Sequence, residues 1–236
     1  MSALAADPLD ALVACLRAER FRGPALAARV GKAFGVDPEA VSADPDTGVF
    51  LHTLYAAVRT LKPQVVVQTG TWVGFSTVAI ALGLEDNGSG VLHTIDPEPA
   101  LYFGVRDPVS KARGAVSAAG LAGRVRFVAG YSTIPGDGDR MDLPERPNWR
   151  LRHLARAENG FDLLVIDGDH TFNGCLLDLV VGAAGLAPDG PRLVVVHDYS
   201  GIPAVRRAVK VWCASRADVR LRVVPCRCGI ALLHCP

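Results

Sequence analysis

Val65-Val66-Val67-Gln68-Thr69-Gly70-Thr71-Trp72-Val73-Gly74-Phe75-Ser76-Thr77 is the stretch on which the fold turns. An apolar, β-branched run ends in a turn with glycines at 70 and 74, and a helical pattern follows at once. Gly70 permits backbone angles closed to other residues and lets a ligand approach the main chain. Gly74 opens the helix, whose free N–H groups and positive dipole end suit a carboxylate. The spacing is not GxGxxG, because Trp72 stands at the second glycine position. The turn therefore takes its meaning from the strand and helix that flank it.

Outward from this turn the same rhythm repeats. Apolar runs at Gln64 to Thr69, Val91 to Ile95, Val125 to Val128, Phe161 to Asp167 and Arg192 to His197 alternate with helical stretches. The helices are expected up to about Leu84, from Asp107-Pro108, up to Leu186, and over Pro203 to Ser215. The runs are nearly continuously apolar, as strands covered on both faces must be, which predicts a parallel sheet. Leu221 to Val224 and Gly229 to Leu233 are too close for a parallel crossover and predict an antiparallel hairpin. Before the turn the chain reads as helical: Ala11 to Arg20, Pro24 to Phe34, and a third helix capped by Thr47 and ended by Leu61-Lys62-Pro63. The expected organisation is a helical extension over residues 1–60 and an α/β domain over residues 61–236.

Bulk properties restrict the class. Half of the 236 residues are hydrophobic, ample for a core, and a net charge of +1 argues against nucleic acid as the main partner. Met1 to Arg20 meets charge too early for a signal peptide, and no apolar run reaches bilayer length, so a cytoplasmic protein without a membrane partner is expected. Six cysteines without a secretory signal read as reduced thiols. Cys226, Cys228 and Cys235 with His234 suggest a zinc cluster; the favoured reading is the last strand and its leading turn, because alternate strand residues face opposite ways.

Ionisable residues gather where strands end. Asp96, after the second strand, suits ribose hydroxyls, or else caps the turn with Pro97. Gly130, Tyr131 and Ser132 follow the third strand and are positioned to flank an adenine. Phe161 to His170 ends in Ile166-Asp167-Gly168-Asp169-His170, and the next strand ends in His197-Asp198-Tyr199. Asp167, Asp169, His170, His197 and Asp198 are expected to converge on one crevice, because open α/β sheets bind ligands at the carboxyl ends of their strands. Loop capping competes for Asp169 and His170, whereas Asp167 and Asp198 together ask for a cation, a substrate hydroxyl or mutual pairing. Thr133 to Gly160, with Arg150, Arg152, His153 and Arg156, reads either as a lid over an acidic or phosphorylated acceptor or as a surface helix anchored by Trp149, Leu151 and Leu154.

The glycine turn, the second-strand acid, IDGDH and HDY, in this order, resemble the class I methyltransferases from about Thr47 onward. The likeness is to the branch of small-molecule O-methyltransferases related to catechol, macrocin and cephalosporin-hydroxylase-type proteins. The resemblance implies a doubly wound, seven-stranded, Rossmann-like sheet. It implies S-adenosylmethionine (SAM) held by Gln68, Gly70, Trp72, Gly74, Ser76, Asp96, Gly130, Tyr131, Ser132 and Asp167. It implies Asp167, His170, His197 and Asp198 as catalytic residues acting on a small-molecule hydroxyl, and, in metal-dependent members, a divalent cation on Asp167, His197 and Asp198. Two positions depart from the pattern. Gln68 stands where an acid is usual, which weakens a contact to the cofactor's ammonium, and His197 replaces an acid, which disfavours magnesium. A SAM-binding protein that transfers no methyl group is the alternative, and a homodimer through the N-terminal helices is compatible with the chain.

Overall fold

The computed structural model describes residues 7–18, 23–133 and 150–236. The elements, in chain order, are α1 (Pro8–Ala18), α2 (Gly23–Phe34), α3 (Pro38–Ser42), α4 (Pro45–Leu61), β1 (Val65–Thr69) and α5 (Phe75–Asn87). Then come β2 (Val91–Asp96), β3 (Leu101–Tyr102), β4 (Val105–Arg106), α6 (Pro108–Ala118), β5 (Val125–Ala129) and α7 (Arg150–Ala157). The last are β6 (Leu163–Ile166), α8 (Phe172–Ala183), β7 (Leu193–Val196), α9 (Pro203–Ala214), β8 (Arg220–Val224) and β9 (Ile230–His234).

Seven strands form one sheet in the order β5-β2-β1-β6-β7-β9-β8. The first five pair in parallel, while β9 runs antiparallel to both β7 and β8. The terminal hairpin therefore enters the sheet with its second strand inside. Strand residues alternate between two cores. Val66, Leu92, Leu163, Val165, Val195 and Leu232 join the core under α1, α2, α4, α5 and α6. Val67, Ile95, Leu164, Ile166, Val194 and Leu233 join the core under α7, α8 and α9. Both faces are dry, which is why the strands read as unbroken apolar runs; each buried aliphatic side chain stabilises by about 1.5–3 kcal/mol.

The helical extension shares the first of these cores. Leu9, Leu12, Val30 and Leu54 are fully buried in it. Polar ties reinforce the contact: Arg220 pairs with Asp7 and Asp10, and Asp86 takes both Arg29 and the Tyr55 hydroxyl. Asp44, not Thr47, caps α4; its carboxylate accepts from the Asp46 N–H and the Thr47 hydroxyl, and Pro45 sets the first helical φ. The two-residue strands β3 and β4 are an exposed excursion with no apolar face for a sequence pattern to register. Among the described residues no helix is long and apolar enough to cross a membrane.

Candidate active site

The strand order reverses between β1 and β6, and loops leaving their carboxyl ends part there to open a crevice. The glycine turn follows β1 and the IDGDH segment follows β6, so the two sequence signals face each other across that point.

The turn is held from inside. Asp96, the last residue of β2, accepts from the Thr71 and Trp72 N–H groups at 2.9 and 3.1 Å through Oδ2, and from the Glu98 N–H at 2.9 Å through Oδ1. Gln68 is fully buried; its amide donates to the Gly70 carbonyl at 2.6 Å and the Ser76 hydroxyl at 2.8 Å, and accepts from Thr77. Gln68 and Ser76 thus bond to each other. The glycines answer to the protein's own packing. A Cβ on Gly70 would lie 2.1 Å from the Asp167 carbonyl oxygen, and one on Gly74 would lie 2.5 Å from the Ala112 Cβ. Both positions also have positive φ, 81° and 92°. The close approach expected of a ligand at Gly70 is, on its missing-Cβ side, an approach by the β6 loop. Trp72 holds φ 46° in the same turn with its ring exposed. Tyr131 and the Tyr102–Phe103 pair, after β5 and β2, are exposed at the same edge of the sheet.

Gly130 has φ 123°, and Arg150 lies where its Cβ would be, donating Nε to the Ala129 carbonyl at 3.1 Å. Ser132 turns inward and donates to Asp178 at 2.7 Å, as Thr133 does at 3.0 Å. Burial pushes the Asp178 carboxyl up to about 6 against these bonds. Of the Thr133 to Gly160 stretch, residues 134–149, Trp149 included, lie outside the described residues. The remainder, α7, is anchored by buried Leu151, with Arg152, His153 and Arg156 at the surface.

Across the crevice, Asp167, His170, His197 and Asp198 come together, their ligand-capable atoms all within 4.8 Å of one another. His197 Nδ1 lies 3.0 Å from Asp167 Oδ1 and 3.4 Å from Asp198 Oδ2. His170 Nε2 lies 3.1 Å from Asp198 Oδ2 and 3.6 Å from Asp167 Oδ1, but outside hydrogen-bond alignment, so this is an ion-pair contact. The expected fifth member, Asp169, turns away: its Oδ1 accepts from the Thr171 N–H at 2.8 Å at the start of α8. Capping explains Asp169 and not His170. Asp198 holds φ 57°, and Phe50 from α4 stacks on the His197 ring at 3.9 Å.

The four charges tune one another. The facing carboxylates, Asp167 and then Asp198, raise His170 to about 9. Burial pulls His197 down, but the same two carboxylates outweigh it and lift the ring to about 10. Burial opposes ionisation of Asp167 and Asp198, yet the two imidazoles hold both well below the ordinary carboxylate range. At neutral pH the cluster is two carboxylates against two imidazoliums. A cavity of ≈360 Å³ opens beside His197 and Asp198, lined also by Asp44, Thr47, Ile202 and Arg227. A larger one, ≈740 Å³, lies between the N-terminal helices and the β8–β9 hairpin, among Leu16, Leu26, Val49 and Val224. It is mostly apolar and lies away from the ionisable cluster.

The envisaged grouping of Cys226, Cys228, Cys235 and His234 does not form. Cys235 and His234 sit at the far end of β9, where His234 Nδ1 meets Asp7 at 3.2 Å. Cys226 and Cys228 lie at the crevice end beside Asp46. Phe50 and Asp46, more than 140 residues from His197, carried no sequence signal for this neighbourhood.

A family model described as a methyltransferase domain matches residues 67–199. No curated protein sequence matches the chain. Among solved structures, the chain is similar to an O-methyltransferase from Bacillus cereus in complex with SAH, at 17% identity, TM-score 0.56, covering 78% of this chain and 79% of that one. It is similar to an O-methyltransferase from Streptomyces achromogenes involved in tomaymycin synthesis, in complex with SAM, at 20% identity, TM-score 0.55 and coverage of 90% and 88%. A third is an SAH-bound methyltransferase from Podospora anserina, at 14% identity, TM-score 0.59 and coverage of 99% and 97%. These likenesses establish the fold.

Proposed function

This chain belongs to the methyltransferase-domain family, and from that premise we propose that it transfers the methyl group of SAM to a hydroxyl of a small-molecule acceptor. The observation that carries the reading is the meeting, at the strand-order reversal, of the glycine turn after β1 with the Asp167–His170–His197–Asp198 cluster after β6 and β7. One side suits a nucleoside and the other a group that must lose a proton.

The cofactor side fits SAM in two respects. Asp96 Oδ1 accepts one hydrogen bond and has a lone pair left for a ribose hydroxyl. Trp72, Tyr102, Phe103 and Tyr131 are exposed after β1, β2 and β5, where an adenine would cover apolar surface that otherwise faces water. The bound SAH and SAM of the structural relatives support the same choice.

Methyl transfer from a sulfonium is an in-line displacement: the acceptor oxygen bonds the methyl carbon as the carbon–sulfur bond breaks, leaving S-adenosylhomocysteine. The chain's residues align the oxygen and take its proton. With both rings protonated at neutral pH, neither is a free base, so the role of proton acceptor falls to Asp167 or Asp198. As the oxygen gains a carbon its proton becomes strongly acidic, and a carboxylate of depressed pKa is base enough. The donor set also fits a divalent cation held by Asp167, His170, His197 and Asp198, which when bound would acidify the acceptor hydroxyl. Two imidazoles among four donors favour a transition metal over magnesium.

Calorimetry with SAM, followed by mass spectrometry of hydroxylated small molecules incubated with chain and cofactor, tests the reading. Cofactor binding with a gain of one methyl on an acceptor is the expected result. Tight binding with no methylated product from any hydroxyl would favour a SAM-binding protein, and no binding at all would remove the assignment.

A further inference from the structure

The turn between β8 and β9, Pro225-Cys226-Arg227-Cys228-Gly229, gathers metal donors that the proposed methyl transfer leaves unused. The Cys226 and Cys228 sulfurs lie 3.4 Å apart. With the Asp46 carboxylate, near the start of α4, they offer three donor atoms all within 4.8 Å of one another. Cys228 Sγ also lies 3.4 Å from His197 Nε2, the ring nitrogen turned away from the Asp167 side.

We propose that Asp46, Cys226, Cys228 and the Nε2 atom of His197 form a site for a thiophilic divalent cation of the zinc class, on the opposite side of the His197 ring from the Asp167–His170–Asp198 groups. The proposal stands whether or not the chain methylates anything.

Four features support it. First, Asp46, Cys226 and Cys228 already group as donors, and the two pairs Cys226–Cys228 and Cys228–His197, each at 3.4 Å, are close to tetrahedral spacing: zinc bond lengths place two sulfurs about 3.8 Å apart and a sulfur and an imidazole nitrogen about 3.5 Å apart. The thiols need to open by only a few tenths of an ångström. Second, Gly229, at φ 64°, donates its backbone N–H to Cys226 Sγ at 3.2 Å. That bond fixes the direction of the sulfur in the turn. A side chain on Gly229 would strike Ser200, 2.1 Å from its Oγ, so this backbone shape is locked. Third, His197 is already oriented as a metal-bound imidazole is: Nδ1 faces the Asp167 carboxylate at 3.0 Å and Phe50 stacks on its face, so an ion on the Cys228 side would displace only the proton on Nε2. Fourth, the charge closes. Two thiolates and a carboxylate against a divalent ion leave one negative charge, and the Arg227 guanidinium bonds Asp46 at 2.8 Å.

The ion would clasp the β8–β9 turn to α4 and fix the His197 tautomer with its proton on Nδ1. The acceptor side would then keep Asp167, His170 and Asp198 as its working groups.

The test uses the full chain, reduced and stripped with chelator, then titrated with cobalt(II) and afterwards with zinc. The expected result is one cobalt per chain, with thiolate-to-cobalt charge-transfer absorption that zinc displaces. The double change Cys226→Ser, Cys228→Ser is expected to remove that absorption and weaken binding at least tenfold, while Asp198→Ala leaves it in place. An independent readout needs no variant: zinc should protect the half-buried Cys226 of the native sequence from alkylation and leave the half-buried Cys15 and Cys213 reactive. Cobalt bound without a thiolate band, binding lost in Asp198→Ala but kept in the cysteine pair, or alkylation indifferent to zinc overturns the proposal. So does a Cys226–Cys228 disulfide in protein kept under reductant.

Discussion

Replacing Gly70 by alanine separates two reasons for a glycine, and Gly88 supplies the control. Gly70 and Gly88 have similar left-handed φ, 81° and 73°. A Cβ at Gly88 meets nothing within 4 Å, whereas at Gly70 it would fall 2.1 Å from the Asp167 carbonyl oxygen, 2.6 Å from its carbon and 2.9 Å from the Gly168 Cα. Left-handed strain costs an alanine about 1–2 kcal/mol, and the lower entropy of the unfolded alanine chain returns about 0.4–1 kcal/mol. Gly88→Ala should therefore lose no more than about 1.6 kcal/mol. Gly70→Ala carries the same strain plus an overlap with backbone, which no rotamer change relieves; overpacking of this kind costs about 1–3 kcal/mol more. The IDGDH loop would have to retreat by roughly 1 Å to reach ordinary contact. A shift of that size in a catalytic group can cost about 10²-fold in rate. Urea unfolding of both variants gives the difference in stability, and calorimetry with SAM gives the effect on the crevice. Equal loss in the two variants, with SAM affinity unchanged, would refute the claim that the β1 turn and the β6 loop are built against each other.

Three further outcomes follow from the same geometry. Asp96→Asn puts an NH2 against backbone N–H groups now bonded to a carboxylate, so it should cost about 1.5–3 kcal/mol in urea unfolding and weaken SAM binding; a neutral result would count against Asp96 as the clamp of the turn. Asp198→Ala should lower methyl transfer by about 10²-fold while SAM affinity stays within a few-fold, since the residue faces the acceptor side; loss of cofactor binding instead would misplace the residue. His170 and His197 have folded pKa values raised from 6.5 to about 9 and about 10, so their stabilisation is complete below pH 6.5 and is lost as pH rises through 9 to 10. Each contributes at most about 1.4 kcal/mol per pH unit, and unfolding free energy measured from pH 6 to pH 10 should fall more steeply in the parent chain than in Asp198→Ala.

The sheet was legible because each strand is covered on both faces, which leaves a run such as Leu163 to Ile166 with no polar residue to blur it. The terminal hairpin was legible from the short spacing around Pro225, although not its insertion with β9 beside β7. What escaped had no periodic signal: α3 is five residues long, and β3 and β4 bury almost nothing. The Asp44 cap was readable in principle, because an Asp before a proline marks a helix start as well as a threonine does. Within the site, Asp167, His170, His197 and Asp198 were found because they end adjacent strands. Asp169 was over-read, because a loop acid two residues before the helix N-cap, Thr171, bonds the local backbone more readily than it faces a crevice. The reason for Gly70 was hidden, since it lies in backbone almost a hundred residues away. The approach of Cys228 to His197 follows from the pairing of β9 with β7, and that of Asp46 to Arg227 from how α4 packs over the end of the sheet; no local pattern encodes either.

The most direct test is a crystal of the chain grown with SAM. The nucleoside is expected over the Gly70–Gly74 turn, its ribose at Asp96 and its sulfonium methyl directed toward Asp167, His170 and Asp198. Density for the cofactor in the apolar cavity beneath the N-terminal helices, or a methyl group pointing away from the acid–imidazole cluster, would contradict the account.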